Sequence, residues 1–85
     1  MIRYFMHLRD GTDEVLDPEG IEYDSLDALR AAVLVAVRDL MAGDIRNGLL
    51  DFRFRVDAED AEGTIVYTLP FKHGVSIIPE AIVSQ

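Results

Sequence analysis

Arg3, Phe5, His7 and Arg9 recur at every second position near the start of the chain, and Arg53 and Arg55 repeat that spacing in its second half. On an extended backbone, alternate residues point to one side, so the spacing gathers guanidinium groups around an aromatic ring and an imidazole. Such a face can hold an anion, a carboxylate or a phosphate, with His7 as a proton acceptor toward a bound metabolite. The same residues read equally as counter-charges for nearby carboxylates, or as a surface on which two copies of the chain meet.

A second constellation is acidic. Residues 10–27 carry eight acidic side chains and no basic one. Asp13, Glu14 and Asp17 in this stretch offer a docking surface for a basic protein partner, since complementary charge speeds encounter. Asp10, Asp13 and Asp17 do not follow the calcium-loop spacing of alternate ligands, central glycine and terminal glutamate. His7 and His73 form no close pair for zinc, so no metal is expected. Asp57, Glu59, Asp60 and Glu62 read as a second solvated acidic turn. There is no phosphate-cradling glycine loop, nucleophile elbow or dinucleotide fingerprint, hence no expected cofactor and no assigned catalytic residue.

The balance of charge narrows the partners. Sixteen acidic against eight basic residues give a formal charge of −8, which repels a phosphate backbone and makes nucleic acid an unfavoured partner. Cysteine is absent, which removes disulfides, thiolate metal sites and thiol nucleophiles. No stretch approaches the roughly 20 apolar residues of a bilayer span, and the N-terminus alternates instead of running apolar. The cytoplasm is the expected location.

These side chains need elements to position them. Ile2 to Arg9 alternates as a strand, with Tyr4, Met6 and Leu8 opposite the arginines. Asp10-Gly11-Thr12-Asp13 is turn chemistry, and Glu14 to Asp17 returns as a short strand. Asp17-Pro18-Glu19-Gly20 breaks that run before a brief extended piece, Ile21 to Tyr23. Asp24 or Ser25 caps a helix expected from about Leu26 to Ala42, with Gly43 as its stop. Leu26, Leu29, Val33, Ala36, Val37 and Leu40 form its inward stripe, while Leu34, Val35 and Met41 lie off it and hint at contact with a second chain. Phe52, Phe54 and Val56 alternate with Arg53, Arg55 and Asp57 in another strand. Ala58 to Gly63 turns, and Ile65, Tyr67, Leu69 and Phe71 follow inward-facing, with Val66 and Thr68 outward. The apolar segment from Val75 is expected to pack on its own core or on a neighbouring subunit.

Hairpin, helix, hairpin over residues 1–85 gives one small α+β domain: a two-layer sandwich with a four-stranded antiparallel sheet, order 2-1-3-4, and one helix on one face. A chain of 85 residues hides only roughly 60–65% of its unfolded surface, which favours a homodimer. Taken together, the sequence points to a non-enzymatic interaction or regulatory domain. An antitoxin-like module and a small-anion site on the open sheet face stand as alternatives.

Arg3-Tyr4-Phe5-Met6-His7-Leu8-Arg9-Asp10-Gly11, Asp17-Pro18-Glu19-Gly20-Ile21-Glu22, the alanine-rich helix and Thr68-Leu69-Pro70-Phe71 together resemble a family of small bacterial proteins catalogued as a domain of unknown function, of a type common in alphaproteobacteria. The resemblance runs to about Phe71 and implies a shared fold without an activity. More distantly, the element order and the Ser25-Leu26-Asp27-Ala28-Leu29 helix start look like the HicB-type antitoxin fold. The DNA-binding segment appended to many such antitoxins has no counterpart here.

Overall fold

Period-two alternation does produce the first strand. In the computed structural model, which describes residues 1–81, β1 spans Ile2–Arg9. Tyr4 is buried and Met6 and Leu8 pack against the core from the same side, while Arg3, Phe5, His7 and Arg9 face away. The turn after β1 is held by Asp10, whose carboxylate accepts the backbone N–H groups of Thr12 and Asp13. These bonds hold the Asp10 carboxyl below the usual carboxylate range.

Two short strands return along one flank of β1. β2, Glu14–Val15, pairs with Leu8 and Arg9, and β3, Ile21–Tyr23, pairs with Ile2 to Tyr4, both antiparallel. β4, Arg55–Glu59, pairs with the other flank of β1, and β5, Ile65–Pro70, pairs with β4. The order is β2-β1-β4-β5 with β3 bonded to β1, so the expected antiparallel path gains a fifth strand.

The helix α1, Leu26–Arg46, starts where Ser25 accepts the N–H of Ala28. It runs through Gly43 and stops later than the sequence suggests. The reason lies at Asn47-Gly48-Leu49: Gly48 adopts φ +84°, its N–H donates to the Ile45 carbonyl, and the Leu49 N–H donates to the Asp44 carbonyl. This paired closure of the last carbonyls needs a left-handed residue, and glycine provides one at no steric cost.

The inward stripe of α1 is Leu29, Val33, Val37 and Met41, each at most 2% exposed. The expected stripe is therefore rotated: Met41 is core, whereas Leu26 and Leu40 lie largely at the surface. Four successive i, i+4 positions make a narrow seam that packs on Tyr4, Val56, Ala58, Leu69 and Phe71. Phe71 begins a single 3₁₀ turn, Phe71–His73, and its ring packs 5.8 Å from that of Phe54.

Three further expectations need correction. The fourth strand starts at Arg55, not Phe52, because the Asp51 carboxylate accepts both the N–H and the guanidinium of Arg53 and closes a turn there. That contact draws the Asp51 carboxyl down to about 2. A register shift at Ala58/Glu59 leaves Val66 as an inserted residue in β5, so Val66 packs against the core and Ile65 is half exposed, while Tyr67, Thr68 and Leu69 keep the expected faces. Of the apolar tail, Val75 to Ala81 is exposed throughout and does not pack on its own core, while Ile82 and Val83 lie outside the described residues.

Candidate functional site

The sheet face opposite α1 carries a dense ionic cluster. Arg9 donates from Nε to Glu14 Oε2 at 2.8 Å, and from Nη1 to Asp57 Oδ2 at 3.0 Å and Glu59 Oε2 at 2.7 Å. Arg55 Nε lies 3.2 Å from Asp57 Oδ2, and the Thr68 hydroxyl donates to Asp57 Oδ1 at 2.8 Å. Strand register explains the convergence. Arg9 sits opposite Arg55, His7 opposite Asp57, and Asp57 opposite Thr68, so three neighbouring strands aim polar groups at one point. Burial pushes the Asp57 carboxyl up, but the Arg9, Thr68 and Arg55 donors outweigh it and hold the carboxyl below its ordinary range. The Arg9 guanidinium is bound correspondingly more firmly to its proton, through Glu14 first and then Glu59 and Asp57.

His7 belongs to the same face but looks toward the chain's own backbone. Its Nδ1 accepts the N–H of Asp17 at 3.0 Å, which places the proton of the neutral ring on Nε2, 3.5 Å from Glu59 Oε1. The ring is 9% exposed and lies nearly parallel to Phe5 at 6.5 Å. Neither nitrogen of the neutral ring offers a free lone pair to a substrate.

Asp17 organises the gap between β2 and β3. Its Oδ2 accepts the N–H of Met6, and its Oδ1 accepts the N–H groups of Glu19 and Gly20. Here a side chain takes the place of a strand partner. Burial raises the Asp17 carboxyl, and the N–H bonds from Gly20, Glu19 and Met6 more than compensate, leaving it below its ordinary range. Gly20 is needed for this fit: its φ is +70°, and a Cβ there would lie 2.7 Å from the Tyr4 carbonyl oxygen. Arg3 closes the loop from outside, donating to the Glu19 carbonyl at 2.8 Å and to that of Gly20 at 3.2 Å.

One face of the sheet thus carries Arg3, Phe5, His7, Arg9 and Arg55; Arg9 and Arg55 meet at Asp57, while Arg3 is apart on the Glu19 and Gly20 carbonyls. Arg53 stands apart in the turn before β4, its guanidinium on Asp51. Asp57 and Glu59 are not a solvated turn: Asp57 is 1% exposed, and both belong to the cluster. Alternation alone could have found them, since both share parity with Arg55. Among the acidic residues suggested for a partner, Glu14 is tied to Arg9 and Asp17 to backbone, while Asp13 is exposed. Among the described residues, every buried side-chain nitrogen and oxygen has a hydrogen-bond partner, and no three His, Asp or Glu side chains are grouped to hold a metal ion.

A different kind of surface lies on the helix side. Between α1 and the β1–β2 edge runs a groove of about 520 Å³, lined by Met6, Leu8, Val15, Leu16, Ala36, Leu40 and Val56, with Asp17 and Asp39 at its rim. Val15 is 66% exposed and Leu16 53%. This groove was not visible in the sequence, because it depends on β2 being only two residues long and on the rotated stripe that leaves Leu40 outside. A smaller polar hollow of about 330 Å³ lies by Gly11 to Glu14 and Arg55.

An antiparallel sheet carrying one helix, with an ionic cluster on one face and an apolar edge groove, is an α+β architecture. Residues 3–72 match the model of a domain of unknown function, DUF6894, and the chain belongs to that family. No curated protein and no solved structure matches it. Among the described residues, no helix is long and apolar enough to cross a membrane.

Proposed function

We propose that this domain is a non-enzymatic interaction module that works as a homodimer in the cytoplasm. The observation that carries this reading is the groove between α1 and the β1–β2 edge, where aliphatic side chains stand exposed beside a hollow large enough for several more. Covering one such side chain fully is worth roughly 1.5–3 kcal/mol, a substantial gain for a fold this small. The alternative of a small-anion site is less well supported. Arg3 already donates to the Glu19 and Gly20 carbonyls, Arg9 and Arg55 face Asp57, and Arg53 faces Asp51, so each cation already has a partner within the chain. A docking role for the acidic hairpin is weakened in the same way, because two of its three suggested carboxylates are engaged.

Size-exclusion chromatography with light scattering over a dilution series tests the proposal. A dimer mass persisting at micromolar concentration is expected, and a monomer at that concentration overturns it. A thermal-shift screen with inorganic phosphate, sulfate and small carboxylates separates the alternative. A ligand-dependent rise in the midpoint would favour the anion site, because a binder of the native state stabilises by mass action.

A further inference from the structure

His7 is a buried titratable group to which the dimer reading gives no part, yet its ring ties down one wall of the groove. That wall is the chain from Val15 to Asp17. β2 ends at Val15 and β3 begins at Ile21, so Leu16 and Asp17 lie outside both ladders. The Asp17 N–H reaches β1 through a side chain instead, donating to His7 Nδ1 at 3.0 Å. We propose that His7 is a proton-operated latch on this wall: the neutral ring holds Leu16 and Asp17 against β1, and proton uptake releases them. The latch is a property of one chain, and its effect on association rests on the homodimer reading above.

The two ring nitrogens respond to a proton in opposite ways. Nδ1 serves the Asp17 N–H through its lone pair, and in the imidazolium both nitrogens are donors. Protonation at Nδ1 therefore sets two N–H groups face to face, and the contact is lost. Nε2 keeps its proton and gains charge toward Glu59 Oε1, 3.5 Å away. Around the ring, β4 contributes Glu59 and the cross-strand Asp57 with Arg55 on it, β1 contributes Phe5 and Arg9, β2 contributes Glu14 on Arg9, and the β2–β3 connection contributes Asp17. Carboxylates outnumber guanidiniums in this set, so the added positive charge is compensated in place and needs no unfolding.

The Asp17 carboxylate offers no escape from this exchange. Turning it onto the new Nδ1–H would take it from the Met6, Glu19 and Gly20 N–H groups, which moves the same wall. Leu16 is carried on the released segment and lines the groove beside Val15, with Ala36 and Leu40 of α1 in the same lining. Freed from β1, the wall no longer presents Leu16 in one position, and an apolar contact made there weakens. Mildly acidic solution is the condition for release, because imidazole changes charge there whereas carboxylates protonate lower.

The chain holds two histidines, and the exposed His73 serves as an internal control. The native chain, labelled with 15N and 13C, is titrated by NMR from about pH 8 to about pH 5. At the alkaline end the ring 15N shifts are expected to show His7 protonated on Nε2. As that ring titrates, the Asp17 amide and Leu16 methyl signals are expected to move with the same midpoint, and the dimer's dissociation constant to rise about tenfold by light scattering. His7→Asn, whose Oδ1 can stand in for Nδ1 without titrating, should abolish this pH dependence, and His73→Asn should retain it. The latch is overturned if His7 does not titrate in this range, if the Asp17 and Leu16 signals ignore it or follow His73, or if His7→Asn keeps the pH dependence. The first two outcomes are read in the native chain and stand whether or not the variant folds. A dimer indifferent to the His7 midpoint overturns the link between wall and association. A chain monomeric throughout overturns the homodimer alone, since the ring, amide and methyl signals report equally in the monomer.

Discussion

Arg9 Nη1 lies 3.0 Å from Asp57 Oδ2 across the β1–β4 ladder, joining residues 48 apart in sequence. Glu59 shares the same nitrogen, and Arg55 and Thr68 hold the other side of the carboxylate. The contact stitches β1, β4 and β5 on the face that no helix covers.

Asp57→Ala removes the common acceptor and leaves Arg9 and Arg55 without it. Breaking a buried pair from one side costs about 3–5 kcal/mol, and we expect a loss near the lower end because Arg9 keeps Glu14 and Glu59. For a domain of this size, each kcal/mol corresponds to roughly 4–8 °C in Tm. Thermal and urea melts monitored by circular dichroism check it; a shift under about 4 °C would show that the cluster contributes little.

Acid should destabilise the fold through Asp17 and Asp57. Both carboxyls titrate lower in the folded chain than the ordinary value of about 3.9 in the unfolded one. Their stabilisation is therefore complete above the ordinary value and is lost as pH falls below it, through the depressed folded values. Urea midpoints measured from neutral pH downward are expected to drop below about pH 4. Asp17→Asn should flatten part of that acid limb while lowering stability at neutral pH.

Gly20→Ala should loosen the β3 flank. The methyl group would meet the Tyr4 carbonyl at 2.7 Å and the Phe5 ring at 2.9 Å, on a backbone with φ +70°. Strain of this kind costs about 1–3 kcal/mol. Amide exchange of Ile21 to Tyr23 is expected to accelerate more than that of β4.

Leu16→Asp separates association from folding. Leu16 is 53% exposed and lies outside the buried cluster, so the monomer's thermal midpoint should move little. The proposed homodimer is expected to weaken by roughly one to two orders of magnitude, the equivalent of losing about 1.5–3 kcal/mol of apolar burial. Light scattering over a dilution series measures it.

Sequence periodicity was a good guide wherever burial is one-sided over a run of residues. β1 shows this from Tyr4 to Arg9, and the antiparallel order follows from the succession of turns. It was a poor guide where one residue decides. The bulge at Ala58/Glu59 turns Val66 inward, and no period can register an inserted residue. The helix end depended on which glycine takes a positive φ, Gly48 and not Gly43. Parity puts Arg3, Phe5, His7, Arg9 and Arg55 on one face of the sheet, where Arg9 and Arg55 share a partner, Asp57. Alternation also set Asp57 on the strand beside Arg55, although composition read it into a solvated turn; the cross-strand register draws it beneath two of those arginines.

The carboxylate of Asp17 interrupts the outer margin of the sheet between β2 and β3, leaving ribbons of only two and three residues there. Long bare margins recruit further strands and seed fibrils, and short broken ones do not. On this margin the chain withholds the continuous row of main-chain groups that templated, open-ended stacking needs.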